Sequence, residues 1–228
     1  MSRILKVIRL QLINRQMFIW VPLIILGSAM LVSIPIYAMI PISGPKFGGA
    51  AQAPLWYFFA IGMSALTLTF PFSQAMSVTR REFFLGTLVT AILGSFLMSL
   101  VFLVGGWIEE LTGGWGLNGY VFRLPWLWEA GPFAAGLTYF TLAMLFFFIG
   151  FAGATIYKRG GATMTTVASL GVVLVLIGIA FLVTRLGLWP QVWEGIMTLG
   201  ALGLTLWALG VVAVLATTSY LVLRRATP

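Results

Sequence analysis

The chain has no cysteine, no histidine and no aspartate, and only 8% of its 228 residues are charged. Without cysteine there are no disulfides and no thiol chemistry. Without Cys, His and Asp the usual zinc and transition-metal spheres cannot be assembled. Nucleophilic triads built on His or Cys are excluded as well. The shortage of charge excludes more, because a water-soluble globule carries roughly 25% charged residues. At 61% hydrophobic and a mean hydropathy of +1.06, this chain would not stay dispersed in water. Its apolar excess must face lipid or other spanning helices. The class is membrane.

Six stretches reach the ~20 apolar residues needed to cross a hydrocarbon core: 17–40, 54–76, 83–106, 132–157, 164–184 and 196–222. None carries a charge well inside it, and Gly- and Pro-containing links separate them. Helices are favoured over a barrel, whose strands alternate every second residue over only ~10 residues. The expected fold is all-α: a single transmembrane domain over 1–228, with six spans and an N-terminal segment, 1–16, lying at the interface. That segment places Ile4, Leu5, Ile8 and Leu12 on one helical face and Arg3, Lys6 and Arg9 opposite. Such a helix turns its basic side to headgroups. The plainer alternative is a positive anchor for the first span. Ala51-Gln52-Ala53 imitates a signal cleavage site, but the run before it exceeds the roughly 7–15 residues of a signal core. It reads as a retained first span.

The net charge of +8 does not point to nucleic acid, because the basic residues sit in short clusters between apolar runs. Such clusters set topology and meet anionic lipid. With the N-terminus in the cytoplasm, the inner segments hold Arg3, Lys6, Arg9, Arg15, Arg80, Arg81, Lys158, Arg159, Arg224 and Arg225. The outer ones hold only Lys46, Arg123 and Arg185. Acids run the other way, with Glu82 inside and Glu109, Glu110, Glu129 and Glu194 outside. Trp56, Trp107, Trp115, Trp126, Trp128, Trp189 and Trp193 fall at or beyond the outer span ends, where indole prefers to sit. Both termini are expected in the cytoplasm.

Three features carry functional readings. In the second span Ser64, Thr67, Pro71 and Gln74 share a quadrant of the helical wheel. They form either a polar stripe on a path or subunit seam, or ordinary helix packing. Pro71 should kink the helix. The outer link 107–131 holds Glu109, Glu110, Trp115, Arg123, Trp126 and Trp128 among glycines. It is a candidate gate, or a lid whose aromatics float among headgroups. Glu109 and Glu110 are adjacent, so on a helix they diverge by about 100° and do not make a paired-acid site. Small residues at seven-residue spacing (Gly136, Ala143 and Gly150; Gly171 and Gly178; Gly203 and Gly210) read as close helix packing. The inner link Ser77-Val78-Thr79-Arg80-Arg81-Glu82-Phe83-Phe84-Leu85-Gly86 is a compact basic turn.

Taken in order, Arg9-Leu10-Gln11-Leu12, Leu68-Thr69-Phe70-Pro71-Phe72-Ser73, that inner link, Trp126-Leu127-Trp128-Glu129-Ala130-Gly131-Pro132, Tyr157-Lys158-Arg159 and Leu223-Arg224-Arg225-Ala226-Thr227 resemble an ABC-2 type ABC transporter permease. The likeness is to the short stand-alone membrane subunits of Gram-positive bacteria and covers essentially the whole chain. It implies a type V exporter-like transmembrane domain in a bacterial cell membrane. It further implies that Ser77, Val78, Thr79, Arg80, Arg81, Glu82 and Phe83 couple to a separate ATP-binding cassette ATPase. ATP and Mg would sit on that partner, and a second permease subunit, the same or related, would face this one. One departure stands out. Exporters of this fold place re-entrant helices between spans five and six, where this chain has only about 185–195.

The chain has no G-x-x-x-x-G-K-[ST] around Lys6, Lys46 or Lys158. It also lacks the mid-span charge that ion-driven transport usually uses. No cofactor is expected on this chain. The alternatives are a six-span substrate-capture subunit of a vitamin uptake system, or a non-transporting scaffold or immunity protein. A membrane enzyme is weakest, since paired acids, His and a metal site are missing.

Overall fold

The computed structural model describes residues 3–12 and 16–225. Arg15, Ala226 and Thr227 lie outside the described residues, as do the side chains of Arg3, Ile4, Lys6, Leu12 and Arg225. The described chain is all-α apart from two two-residue strands. Helix α1 covers Arg3–Leu12. A π-turn at Gln16–Trp20 leads into α2, Val21–Met39. Helix α3, Gln52–Ser64, passes through a π-turn into α4, Phe70–Ala75. Then follow α5, Arg80–Leu111, the single turn α6, Pro125–Trp128, α7, Pro132–Arg185, and α8, Trp189–Arg225. Strands β1, Lys46–Phe47, and β2, Gly119–Tyr120, pair in parallel.

Five helices among the described residues are long and apolar enough to cross a membrane. Where six spans are expected from the sequence, α7 runs through the fourth and fifth as one element of 54 residues. At ~1.5 Å per residue it exceeds twice a ~30 Å core. It is broken, however, at Gly161 (φ 68°, ψ −167°). Gly200 (φ 61°, ψ −177°) breaks α8 in the same way, setting off a short helical piece, 189–199. Only glycine adopts this backbone without steric cost.

Around Pro71, where a kink is expected, the second span departs from regular α-helix. Pro71 sits in the first turn of α4, and the preceding Ala65–Thr69 widens to a π-turn, which removes the clash a proline ring makes in a regular helix.

The core is an aromatic cluster between α3, α5 and the first half of α7, including Phe58, Phe83, Phe102, Phe147, Phe148 and Phe151. Two glycines create its tightest contact. A Cβ on Gly62 would lie 2.1 Å from the Phe147 carbonyl oxygen, and one on Gly150 would lie 2.1 Å from that of Phe59. Backbone meets backbone in both directions. The expected packing role therefore holds for Gly150, for Ala143, which is fully buried, and for Gly136, whose carbonyl accepts from Ser99 Oγ at 2.6 Å. It does not hold within the chain for Gly171, Gly178 and Gly210, which have nothing within 4 Å, nor for Gly203, which meets only Leu199.

The amphipathic α1 departs from expectation in its contact face. Val7 and Gln11 are buried against α5, while Leu5 and Arg9 are exposed. Gln11 Nε2 donates to Thr87 Oγ1 at 2.7 Å. On the wheel's apolar face Leu5 is exposed and Ile8 half-buried, while Val7 and Gln11, at that face's edge, make the tertiary contact. Thr87→Val leaves a buried amide without its partner, a loss of ~1–3 kcal/mol. Hydrogen exchange across residues 3–12 is expected to rise by tenfold or more, with the amides of α7 unchanged.

Candidate functional site

Two ends of the molecule hold the chemistry. One is basic: the turn between α4 and α5, the Lys158-Arg159 pair and the end of α8. The other is a cap built from the α2–α3 link and residues 112–131.

At the basic end a capping box starts α5. Glu82 N–H donates to Thr79 Oγ1 at 3.2 Å, and Thr79 N–H donates to Glu82 Oε2 at 2.9 Å. Val78 and Phe83 are buried, and Phe83 packs edge-on against Phe70 with ring centroids 5.1 Å apart. Gln74 Nε2 closes the turn on the Val78 carbonyl at 3.2 Å. Ser77 takes a left-handed φ of 57°. The two arginines diverge. Arg80 Nη1 donates to the Arg224 carbonyl at 2.9 Å and the Leu223 carbonyl at 3.3 Å, capping the negative end of α8. Arg81 points outward, exposed. Of the seven residues expected to couple, then, Val78, Thr79, Arg80, Glu82 and Phe83 build the turn, while Ser77 and Arg81 are its free surface. Arg80→Ala is expected to cost ~0.5–1 kcal/mol, read as faster hydrogen exchange over 219–225. Arg81→Ala should leave those amides unchanged.

The second-span polar residues satisfy themselves locally. Ser64 Oγ donates to the Ile61 carbonyl at 2.9 Å, and Thr67 Oγ1 to that of Met63 at 3.1 Å. Thr67 and Pro71 are exposed.

The cap is organised by Glu109, whose side chain is fully buried. Its Oε1 accepts from Trp115 Nε1 at 3.0 Å and Val121 N–H at 2.8 Å. Its Oε2 accepts from Phe122 N–H at 2.9 Å and Arg123 N–H at 2.8 Å. Three consecutive amides and one indole thus converge on one carboxylate, a small anion nest. Glu110, one position on and half exposed, takes the Arg123 guanidinium at 2.6 Å. That guanidinium also lies 4.8 Å from the Trp128 ring centroid. The divergence of the two acids is as expected; one is buried within the cap and the other sits on its surface.

Glycines let the cap lie close. A Cβ on Gly105 would fall 2.5 Å from the Phe122 ring, and one on Gly106 would fall 2.3 Å from that of Trp128. Trp128 Nε1 donates to the Phe122 carbonyl at 2.9 Å, which also accepts from Tyr139 Oη. Lys46 Nζ donates to the Tyr37 carbonyl at 2.7 Å, tying the α2–α3 link into the same end. Trp115 and Trp128 are therefore committed to the cap and do not float. Trp56, Trp107, Trp126, Trp189 and Trp193 remain exposed, as interfacial rings would be. Gly105, Gly106, Tyr37 and Tyr139 lie outside the 107–131 link expected from the sequence, yet join the cap. The visible signal for them is the glycine pair four residues before the paired glutamates.

Beneath the cap lies a cleft of about 590 Å³ between α2 and α5, floored by Phe58. Its walls include Leu26, Gly27, Gly94, Met98 and Val104, and Trp115 and Phe122 form its cap end. No charged side chain lines it. Exposed Ile19, Leu97 and Val104 place its open side on the flank of the molecule. Among the described residues no group of three or more His, Cys, Asp or Glu stands where it would hold a metal. Compared with known proteins, the chain matches no family model, no curated protein and no solved structure.

Proposed function

We propose that this chain is the permease subunit of an ATP-driven transporter of the ABC-2 kind, moving an amphiphilic or peptide-like substrate outward across a bacterial cell membrane. The observation that carries the reading is the basic turn. Buried Val78 and Phe83, the Thr79–Glu82 capping box and the Arg80 contact to α8 make it rigid, while Arg81 and Ser77 stay free on its surface. A stiff, positively charged knuckle tied to two spans is what a soluble motor needs to push on. ATP and Mg belong to that partner, since no P-loop exists here.

Six crossings are part of the proposal. The first half of α7 and the second half of α8 both run from the cap end to the basic end. Thr138 meets Thr205 at 2.7 Å near the cap, while Phe84, at the basic end, packs against both Phe151 and Tyr220. A chain leaving residue 160 at the basic end must return to reach residue 201. The helical stretch 162–185, at ~1.5 Å per residue, has the length for one crossing. The piece 189–199 then falls between the fifth and sixth crossings, where the sequence alone shows only a short link, about 185–195. A second permease subunit supplies the cover for 162–185, which is exposed almost throughout. The basic end faces the cytoplasm, with both termini.

The apolar cleft favours an amphiphile over a vitamin, since it offers few of the convergent polar groups a small polar ligand requires. Affinity purification of the tagged chain from its native cells tests the proposal. An ATP-binding cassette subunit should co-purify, and Arg81→Glu should reduce its recovery by roughly tenfold or more, through like-charge and lost-contact penalties. Recovery of no nucleotide-binding subunit, or transport indifferent to Arg81→Glu, would overturn it.

A further inference from the structure

The cap does more than cover the molecule. Trp115 and Phe122 form the cap end of the apolar cleft, and both are held by the same carboxylate. Glu109 takes Trp115 through the indole N–H and Phe122 through its backbone N–H. We infer that Glu109 is the bolt of a gate between the cleft and the aqueous phase at the cap end. Releasing its four donors frees the Trp115 indole and the 121–123 amides at once, leaving Phe122 held only through its carbonyl, by Trp128 and Tyr139, and its ring packing.

Three observations support a gate over a rigid plug. First, residues 113–118 hold a run of left-handed backbone at Gly113, Gly114, Trp115, Gly116 and Asn118. Trp115 and Asn118 carry side chains in that region, a strained state that persists only while its surroundings enforce it. The enforcing contacts on Trp115 include the Glu109 bond and the Thr112 Oγ1 bond to its own N–H at 3.0 Å. Second, the cap strand satisfies its amides at 121–123 on Glu109, not on a sheet; β2 ends at Tyr120. One side chain therefore holds what a ladder of backbone bonds would otherwise distribute. Third, the volume behind the gate is kept open. A Cβ on Gly27 meets nothing within 4 Å, and one on Gly94 meets only Phe58 at 3.5 Å. Elsewhere in the core, at Gly62 and Gly150, glycine instead brings backbones into contact. Glu109 is thus a positioning residue, acting on the cleft through Trp115 and Phe122. The inference holds whether or not an ATPase drives the chain.

Because the chain has no native cysteine, one introduced thiol reports gate opening. Met98 lines the cleft and is only 4% exposed. The full chain carrying Met98→Cys, in lipid nanodiscs, is treated with a charged, water-soluble methanethiosulfonate. Glu109→Ala is expected to raise the labelling rate roughly tenfold or more, since each bond to the lost carboxylate is charge-assisted. Sodium formate, but not chloride at the same ionic strength, should return the rate toward that of the parent by refilling the nest with a carboxylate. A protein merely destabilised by the substitution would not respond to formate. Trp115→Phe removes one donor of the four and should give a smaller increase, in a chain whose backbone clamp is intact. An unchanged rate in Glu109→Ala, or a raised rate indifferent to formate, would overturn the inference. Should Glu109→Ala not fold, a Trp115→Phe rate equal to the parent's would do the same.

Discussion

Gly62→Val and Gly150→Val are each expected to cost ~3 kcal/mol or more, the upper range for overpacking a core. Both should lower the yield of monodisperse protein in detergent and its thermal midpoint. The physical reason is that the obstacle is backbone. The added Cβ meets a carbonyl oxygen at 2.1 Å in each case, with Phe151 N and Met63 N at 3.0 and 3.2 Å behind it. No rotamer change relieves such a clash. The two helices must move apart, and the Phe147, Phe148 and Phe151 cluster then loses its fit. Gly171→Val and Gly178→Val are the controls. With nothing within 4 Å, they should leave the folded chain's own stability unchanged to within ~0.5 kcal/mol.

Glu109→Gln should open the cap with little change elsewhere. The amide keeps the carboxylate's shape, but its NH2 must face one of the two donor pairs: Trp115 and Val121, or Phe122 and Arg123. Two buried N–H groups then point at a donor, a penalty of ~1–3 kcal/mol each. About 3 kcal/mol corresponds to roughly 100-fold faster hydrogen exchange at 121–123. Glu110→Gln, losing only a half-exposed pair with Arg123, should change exchange by less than about fivefold.

The contrast between these neighbours indicates what a sequence can carry. Helical geometry alone separates Glu109 from Glu110, so their divergence was legible. That Glu109 would be fully buried was not, because three of its four partners are backbone amides 12 to 14 residues downstream. No side-chain pattern marks those amides as donors. The spans were legible for the opposite reason. Hydropathy over ~20 residues measures the very property a bilayer selects; the helices at 16–39, 52–75 and 80–111 fall close to the first three apolar stretches, while the fourth and fifth lie in the single element Pro132–Arg185. The irregular turn before Pro71 was legible because a proline ring excludes a regular one.

Tertiary contact defeated the pattern in two places. On α1 the helical wheel identifies the apolar face, yet Val7 and Gln11 make the contact with α5. A helix at a membrane surface has two apolar neighbours, lipid and protein, and the wheel does not distinguish them. On the basic turn, Arg80 and Arg81 look interchangeable in sequence. They part because Arg80 reaches the open carbonyls ending α8, a helix that begins more than a hundred residues later.

Single-cysteine accessibility in intact cells most directly tests the six crossings and the cytoplasmic knuckle. The chain offers no competing thiol. Ser77→Cys and Lys158→Cys should react with an impermeant maleimide only after the membrane is opened, whereas Asn118→Cys and Leu188→Cys should react in sealed cells. Leu188→Cys sharing the behaviour of Ser77→Cys would remove the return crossing through 162–185. Ser77→Cys reacting in sealed cells would put the basic turn beyond the reach of any cytoplasmic ATPase.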